Sequence, residues 1–270
     1  MSDRILGIYD ARRGNWERRI YLHSVARDGA CVNGISAKLA LCGAGTPFPQ
    51  GADYVIVTPP SFEPERERLV SIGTGGFIWV DRDAALHVWV PGFAEVSSRI
   101  KTMRRIRAAV LTVSDKGSRG ERKDTSGAAL VELVEPLGAE VVISGIVPDE
   151  RGLISGKLKE WADGGQADLI LTTGGTGLSR RDVTPEAIAD IGERAVPGFG
   201  ELMRAKSMAS TPRGFLSRSL AVTRGGALIV AFPGSERAVR QCFDAVAPAV
   251  RHAVEMLCGW EAECARHPQP

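Results

Sequence analysis

The sequence lacks an apolar run long enough to span a bilayer, and its N-terminus begins Met-Ser-Asp-Arg and soon turns polar. That start is not typical of a signal peptide. The chain also lacks an excess of either charge, because 34 basic side chains face 32 acidic ones and the formal net charge is +2. A near-neutral chain has no general attraction for nucleic acid or for an anionic membrane. We therefore expect a cytoplasmic protein that binds neither.

Cysteine and histidine are scarce. The five cysteines, at positions 31, 42, 242, 258 and 264, form no Cys-x-x-Cys pair, and an odd, scattered set is typical of reduced thiols in a cytosolic protein. His23 and His87 have no acidic or cysteine neighbour at ligand spacing, which favours solvated or strand-face histidines. We expect no zinc site.

The chain of 270 residues is long enough for two domains. Residues 1–100 contain short β-branched and aromatic runs separated by Gly, Pro and Asp turns, which predicts a small β-rich domain. The predicted strands are 4–9, 19–25, 54–58, 69–72, 77–80 and 86–90. Two glycine-rich stretches in this part, 43–47 and 73–76, are more typical of turns than of ligand loops. The sequence does not indicate what this domain does.

A basic segment follows at 99–107, with apolar residues between the cations at helical spacing. It predicts a linker or short connecting helix at 101–106, with the domain boundary near Arg105. A nucleic-acid-binding arm is the alternative interpretation. The cluster is too short, and the whole chain too close to neutral, to favour that alternative.

From residue 107 to about 260, apolar strands alternate with amphipathic helices, which predicts a mostly parallel sheet covered on both faces. The predicted strands are 108–113, 140–147, 167–171, 219–223 and 227–231. The predicted helices are, in order, one that ends near Val134, one at 151–162, one at 185–191, one that ends near Met208 and one at 236–257. The last two strands are close enough for a hairpin, so one edge of the sheet is expected to be mixed. Residues 261–270 are predicted to be a C-terminal tail.

One face of the helix predicted at 151–162 carries the apolar residues Leu153, Ile154, Leu158 and Trp161. We expect this face to pack on the sheet.

The most informative stretch is 169–186, where a strand is followed by a glycine-rich loop and a helix start. Glycines at 174, 175 and 177 allow the backbone to approach a ligand closely. The Thr173 and Thr176 hydroxyls and the loop N–H groups can hold anionic oxygens. Thr184 is a natural N-cap with Pro185 at the first helical position.

Two cations and a carboxylate, Arg180, Arg181 and Asp182, follow the glycines. A phosphate-bearing substrate with a metal ion would use all of these groups. A glycine-rich turn after a strand is also common for purely structural reasons in α/β proteins. The spacing matches neither the P-loop nor the dinucleotide-binding pattern, so generic motifs alone do not identify the ligand.

The full string, Thr-Gly-Gly-Thr-Gly-x-x-x-Arg-Asp-x-Thr-Pro-Glu at 173–186, is much more specific. Six further segments accompany it in order: Thr-Val-Ser-Asp at 112–115, Lys-Asp-Thr-Ser-Gly at 123–127, Val-Pro-Asp-Glu at 147–150, Pro-Gly-Phe-Gly-Glu-x-Met-Arg at 197–204, Leu-Ser-Arg at 216–218 and Pro-Gly-Ser at 233–235. Together, residues 107–257 resemble the molybdopterin-binding family, and most closely its molybdopterin adenylyltransferases. The first 100 residues carry no such resemblance.

The resemblance implies a three-layer α/β domain that usually assembles as a homotrimer. It implies an enzyme of molybdenum cofactor biosynthesis that joins molybdopterin to AMP, using ATP and Mg²⁺ and releasing pyrophosphate. The product would pass to a partner protein that inserts molybdate. The same fold occurs in non-catalytic molybdopterin-binding or scaffold proteins, which is the alternative interpretation.

Asp149 and Asp182 match the aspartates to which the family's catalysis is attributed, and we assign both to holding Mg²⁺ and positioning the nucleotide. Each follows a strand, and if these two strands are neighbours, both carboxylates lie at the same carboxyl edge of the sheet, where open α/β sheets bind ligands. The glycine loop is assigned to cradling phosphate or pterin. The substrate-binding groups are Ser114, Asp115, Thr125, Thr173, Gly174, Gly175, Thr176, Gly177, Arg181, Pro233, Gly234 and Ser235. Ser235 also stands where an N-cap belongs, at a helix start that attracts phosphate.

The sequence departs from the family pattern at three positions. Lys116 stands where many relatives carry arginine, and Ala231 and Glu236 replace an asparagine and a proline around Pro-Gly-Ser. Glu236 adds negative charge near a site for polyanions, which is unfavourable unless its side chain faces away or joins the metal ligands.

Overall fold

Two units with separate hydrophobic cores, Met1–Arg105 and Ile106–Pro270, make up the chain in a computed structural model. The structure describes residues 4–25, 29–60, 62, 64–73 and 76–260. The predicted C-terminal tail, 261–270, lies outside these residues. No helix in the described ranges has the length and apolar character needed to cross a bilayer.

The first unit is built of short strands, as its β-branched and aromatic runs predict. Its strands are β1 Gly7–Asp10, β2 Asn15–Glu17, β3 Arg19–Val25, β4 Gly29–Val32, β5 Ile35–Ala37, β6 Leu39–Gly43, β7 Tyr54–Thr58, β8 Arg68–Ile72, β9 Gly76–Val80, β10 Leu86–Val90, β11 Gly92–Glu95 and β12 Ile100–Met103. They form sheets of order β2-β1-β7-β6, β10-β9-β8-β12 and β11-β3-β4-β5. The pairs are antiparallel apart from β6 and β7. The β-rich class is confirmed.

The prediction of a linker or short connecting helix at 101–106 is wrong for residues 101–103 and 106, which lie in strands. Ile100–Met103 is strand β12, antiparallel to β8, with Ile100 opposite Ile72 and buried in the first unit's core. The three-residue spacing of Ile100, Met103 and Ile106 suggested a helix. The structure shows that Ile100 and Ile106 belong to different sheets, so their spacing does not reflect one helix face.

The second unit alternates strands and helices. Its strands are β13 Ile106–Val113, β14 Ala139–Val147, β15 Leu169–Thr173, β16 Arg194–Ala195, β17 Ala221–Arg224 and β18 Ala227–Phe232. Its helices are α1 Asp115–Ser118, α2 Thr125–Val134, α3 Arg151–Asp163, α4 Thr184–Ala189, α5 Pro197–Met208 and α6 Glu236–Leu257, with 3₁₀ turns at Glu135–Leu137 and Pro212–Leu216. The strand order is β14-β13-β15-β18-β17-β16. The first four run parallel, and β18-β17-β16 are antiparallel. The mostly parallel sheet with a mixed edge is confirmed.

The sheet separates two cores, because alternate residues of a strand point to opposite faces. On β13, Ala108 and Val110 pack with α2, α5 and α6, while Ala109 and Leu111 pack with α3 and α4. This arrangement gives the three layers that the alternation predicts.

Two local predictions in this unit are wrong. On α3, Leu153 is 49% exposed, while Ile154, Leu158 and Trp161 are buried, because positions i, i+4 and i+7 define the face and Leu153 lies beside it. At α4, Thr184 is the first helical residue and Val183 takes the N-cap position without a side-chain cap. The Thr184 N–H donates to the Gly175 carbonyl at 3.1 Å, which draws this residue into the turn.

Candidate functional site

A cleft of about 200 Å³ lies over the carboxyl ends of the four parallel strands. Each of these strands contributes through the loop that follows it, which is the expected consequence of a parallel sheet. The lining residues are Thr112, Val113, Ser114, Gly117, Arg122, Lys123, Asp124, Thr125, Ser126, Asp149, Gly174, Gly175, Asp182 and Gly234.

The floor of the cleft is bare backbone. Gly174 has φ of +99°, and a Cβ added there would lie 2.1 Å from the Val113 carbonyl oxygen. A Cβ at Gly234 would lie 3.2 Å from the Gly174 Cα, so the loops after β15 and β18 abut directly. The Thr173 hydroxyl donates to the Pro233 carbonyl at 2.7 Å and fastens these loops together. Thr173 and Pro233 therefore shape the floor without lining it.

Asp149 is held in a reciprocal pair. The Asp115 N–H donates to Asp149 Oδ2, and the Asp149 N–H donates to Asp115 Oδ1, each at 3.1 Å. Arg181 anchors this pair, because its guanidinium donates to both Asp115 oxygens at 3.1 and 2.6 Å. That contact holds the pKa of the Asp115 carboxyl below its ordinary value.

The pKa of Asp149 moves the other way. Burial raises it above the ordinary value, and the neighbouring charges of Asp115 and Asp182 raise it further. Asp149 Oδ1 also lies close to the glycine loop, since a Cβ at Gly175 would be 2.9 Å from it. A carboxylate in this position favours a cationic ligand that would offset the repulsion.

Asp182 approaches the same cleft from the loop after β15. Its Oδ2 accepts from the Ser179 N–H at 2.8 Å, and a Cβ at Gly177 would lie 2.8 Å from that oxygen. The strands that precede Asp149 and Asp182 are not adjacent, because β13 lies between β14 and β15. The two carboxylates share an edge because these strands are parallel to β13.

The opposite wall of the cleft is polar and partly cationic. Arg122 and Lys123 are exposed and form no ion pair within the described part of the chain. Next to them, Asp124 caps α2 by accepting from the Gly127 N–H at 2.8 Å, and it also accepts from the Thr112 hydroxyl of β13 at 2.6 Å. These contacts direct the N-terminus of α2, an electropositive helix end, toward the cleft.

The sequence-predicted site residues divide evenly. Seven line the cleft: Ser114, Thr125, Asp149, Gly174, Gly175, Asp182 and Gly234. The other seven lie behind or beside it: Asp115, Thr173, Thr176, Gly177, Arg181, Pro233 and Ser235. Thr176 is buried, and Ser235 caps α6 by accepting from the Ala238 N–H at 3.3 Å.

Sequence reasoning did not assign a site role to Thr112, Gly117, Arg122, Lys123, Asp124 or Ser126. A signal was present for four of them, because the Thr-Val-Ser-Asp segment includes Thr112 and the Lys-Asp-Thr-Ser-Gly segment includes Lys123, Asp124 and Ser126. In the sequence these segments indicate the family, whereas their role in the cleft wall depends on where α2 packs.

Glu236 does not line the cleft. Its carboxylate contacts Arg240 at 3.1 Å, and Arg240 also contacts Glu132 at 2.7 Å. Arg240 is shared by the two carboxylates, and the Glu236 side chain is engaged there, outside the lining of the cleft. Ala231 is fully buried in β18.

The donor set fits Mg²⁺. Among the described residues no cluster of three or more His, Cys, Asp or Glu forms a complete metal cage. Mg²⁺ usually takes one or two protein carboxylates together with substrate phosphates and water, which is what Asp149 and Asp182 offer. The raised pKa of Asp149 is consistent with a site that is completed by a cation.

These features define an α/β protein with a ligand cleft at the carboxyl edge of its sheet, furnished with a carboxylate pair, a glycine floor and a cationic wall. Residues 109–252, more than half of the chain, match the family model described as "Probable molybdopterin binding domain". The chain belongs to this family, and the resemblance based on its motifs is confirmed. The match begins beyond the first unit.

Individual relatives agree with the family match. The chain is 41% identical over 162 residues to a molybdopterin adenylyltransferase of Helicobacter pylori, covering 58% of this chain and 90% of that protein. Among solved structures, it is similar to the molybdopterin biosynthesis enzyme MoaB of Thermus thermophilus, with 46% identity, a TM-score of 0.55 and coverage of 57% and 97%. It is also similar to the tungsten cofactor synthesizing protein MoaB of Pyrococcus furiosus, with 35% identity, a TM-score of 0.54 and coverage of 58% and 99%.

Proposed function

We propose that this chain is a molybdopterin adenylyltransferase of molybdenum cofactor biosynthesis, which uses ATP and Mg²⁺ to form adenylyl-molybdopterin and pyrophosphate. The observation that carries the proposal is the convergence of Asp149 and Asp182, from separate loops, over one glycine-floored cleft. The relative from Helicobacter pylori carries the name of this activity.

The reaction joins two polyanions. A phosphate oxygen of molybdopterin attacks the α-phosphorus of ATP, the bond from that phosphorus to the bridging oxygen breaks, and pyrophosphate leaves with the electron pair. The cleft must therefore neutralise charge and align the attacking and leaving oxygens. Arg122, Lys123 and the N-terminus of α2 supply positive potential on one wall. The glycine floor allows phosphate oxygens to approach backbone N–H groups.

Asp149 and Asp182 would hold Mg²⁺, which, when bound, supplies charge neutralisation to the substrate phosphates. Asp115 and Arg181 serve this arrangement indirectly, because their hydrogen bonds fix the orientation of Asp149. Asp182 is fixed by the Ser179 N–H.

The resemblance supports three further parts of the proposal. The protein would act in the cytoplasm, assemble as a homotrimer and pass its product to the protein that inserts molybdate. The trimer is tested by measuring the mass of the purified chain in solution. The transfer step is tested by asking whether the insertion protein competes for bound product.

The decisive experiment compares wild type with Asp182→Asn in an assay with ATP, Mg²⁺ and molybdopterin. Removal of the charge from Asp182 should lower the rate of adenylyl transfer by about 100-fold or more, because electrostatic groups of this kind contribute about 10²–10³ in rate. Pterin binding should change by less than about threefold, because Asp182 is assigned to the nucleotide and metal. Pyrophosphate release and pterin fluorescence titration provide the two readouts.

A matched control is Asp190→Asn. Asp190 is an exposed carboxylate beyond α4 that pairs with Arg151 and does not line the cleft, so its rate should match wild type. If wild type retains molybdopterin but releases no pyrophosphate from ATP, the non-catalytic binding or scaffold interpretation replaces the enzyme.

A further inference from the structure

Arg218 makes three side-chain hydrogen bonds with the loop after β15 and the helix that follows it. It lies between the 3₁₀ turn Pro212–Leu216 and β17, and its side chain crosses to the segment that connects β15 to α4. Its Nε donates to the Gly177 carbonyl at 2.8 Å, and its second terminal nitrogen donates to the Asp182 carbonyl at 2.5 Å. The remaining terminal nitrogen bonds to the Glu186 carboxylate. One guanidinium therefore contacts the loop at Gly177 and at Asp182, near its end, and also the helix that follows.

The backbone of Arg218 adds a fourth contact. Its N–H donates to the Thr176 carbonyl at 2.9 Å, which brings the chain before β17 alongside the glycine loop. Residues 174–183 contain no helix or strand, so their shape depends on such contacts. The loop carries two groups of the cleft, the glycines at its start and Asp182 near its end.

The geometry suits arginine in particular. Guanidinium presents its N–H donors in a rigid planar fork, so it can satisfy two carbonyls and a carboxylate in three directions at once. The three donors of lysine share one nitrogen and lack the planar fork, so they cannot reach these acceptors in the same geometry. Burial opposes ionisation of Glu186, yet its pKa lies below the ordinary value because a backbone N–H and Arg218 both favour its charged form.

We propose that Arg218 is a positioning residue that fixes the loop 174–183, and with it Asp182, in the conformation required for adenylyl transfer. The inference rests on the proposed function for the rate effect. Its structural part, the fixing of the loop, does not depend on that function.

The test compares Arg218→Gln and Arg218→Lys with Arg224→Gln. Arg224 is a close match as a control, because it donates to Asp163 at 2.6 and 2.7 Å and to the Ile191 carbonyl at 2.8 Å, away from the cleft. Arg224→Gln therefore also loses an ion pair and a bond to a carbonyl, but it loses no contact with the loop 174–183.

Hydrogen exchange of peptides covering residues 174–183 gives the first readout, without ATP or pterin. We expect exchange to be at least about 10-fold faster in Arg218→Gln and unchanged in Arg224→Gln. Steady-state kinetics gives the second readout. We expect kcat to fall by about 100-fold in Arg218→Gln, with KM for ATP changed by less than about threefold, because a misplaced catalytic group affects the chemical step more than binding.

Added guanidinium ion at millimolar concentration should restore part of the kcat of Arg218→Gln and none of that of Asp182→Asn. Arg218→Lys, which keeps the charge but not the fork, should show intermediate exchange and kcat, and it preserves the test if Arg218→Gln does not fold. Unchanged loop exchange in both Arg218 variants would overturn the proposal, as would an equal loss of kcat in Arg224→Gln. A wild type without adenylyl transfer would instead count against the proposed function, while loop exchange still decides the role of Arg218.

Discussion

At the scale of single residues, Asp149 shows a conflict between stability and function. Its carboxylate is partly buried and lies near two like charges, so the folded chain holds it at a pKa above the ordinary value. Such a group destabilises the folded state at neutral pH. Its retention is consistent with the proposed role in holding a cation, because strained or repulsive groups are common at functional sites.

Asp149→Asn is therefore expected to raise the melting temperature while abolishing adenylyl transfer. For an acid with a raised folded pKa, the penalty is fully present above that pKa and disappears as pH falls below the ordinary value near 4. At pH 7 and without Mg²⁺ we expect Tm to rise by about 2 °C, which corresponds to less than about 1 kcal/mol for a domain of this size. Thermal unfolding measured by circular dichroism across pH checks this.

The pH dependence identifies the cause. The Tm difference between Asp149→Asn and wild type should shrink as pH falls and vanish below the ordinary carboxyl range. A difference that stays constant with pH would indicate a packing effect. Asp190→Asn should give no gain at any pH, because Asp190 forms a favourable ion pair with Arg151 that lowers its pKa.

Some site residues could be predicted from the sequence and others could not. Asp149 and Asp182 could be selected because each follows a strand within a specific motif. Arg218 was part of a recognised Leu-Ser-Arg segment, but its contacts with Gly177 and Asp182 join residues 41 and 36 positions apart. No local pattern encodes such a contact. The same reason explains why Arg122 and Lys123 were not assigned to the cleft wall.

At the scale of elements, the two predicted helix caps had different outcomes. Ser235 caps α6 with its hydroxyl, as predicted, because the residues after it continue directly into a long amphipathic helix. Thr184 does not cap α4, and its buried hydroxyl has no hydrogen-bond partner among the described residues. A threonine followed by a proline fits both an N-cap at Thr184 and a helix that begins at Thr184. The tertiary contact between the Thr184 N–H and the Gly175 carbonyl decides for the second.

This difference predicts opposite effects of removing the two hydroxyls. Ser235→Ala should lower the free energy of unfolding by about 1 kcal/mol, because it removes an N-cap. Thr184→Val, which keeps the shape of the side chain, should leave the free energy unchanged or raise it by up to about 1 kcal/mol, because a buried hydroxyl without a partner is unfavourable. Urea denaturation of both variants measures this. Equal destabilisation would show that the Thr184 hydroxyl is bonded in solution.

At the scale of the whole molecule, the alternation of strands and helices after residue 106 was enough to predict the layers and the mixed edge of the sheet. The order of strands was less accessible, because placing β13 between β14 and β15 depends on the handedness and packing of the crossovers. In the first unit, the strands rich in Val, Ile and Trp were found. The strands β4 and β11, which contain glycine and alanine, were not predicted because their propensity is low.

The division into two units predicts that the second unit folds and acts without the first. Because residues from Ile106 onward have their own cores and contain the complete cleft, a fragment of residues 104–270 should fold alone and keep the adenylyl transfer rate within about threefold of the full chain. A fragment of residues 110–270 is the matched control. It lacks the buried residues Ile106, Ala108 and Ala109 of a strand inside the sheet and should not unfold cooperatively. Circular dichroism and the pyrophosphate assay test both fragments.

The contact between Gly174 and Gly234 also limits how the ligand preference of this cleft can be changed. Two main chains that touch leave no room at the base of the cleft for a functional group that selection could alter. A change in ligand preference must therefore come from the rim, where the exposed side chains of Arg122 and Lys123 can be exchanged without disturbing the peptide base.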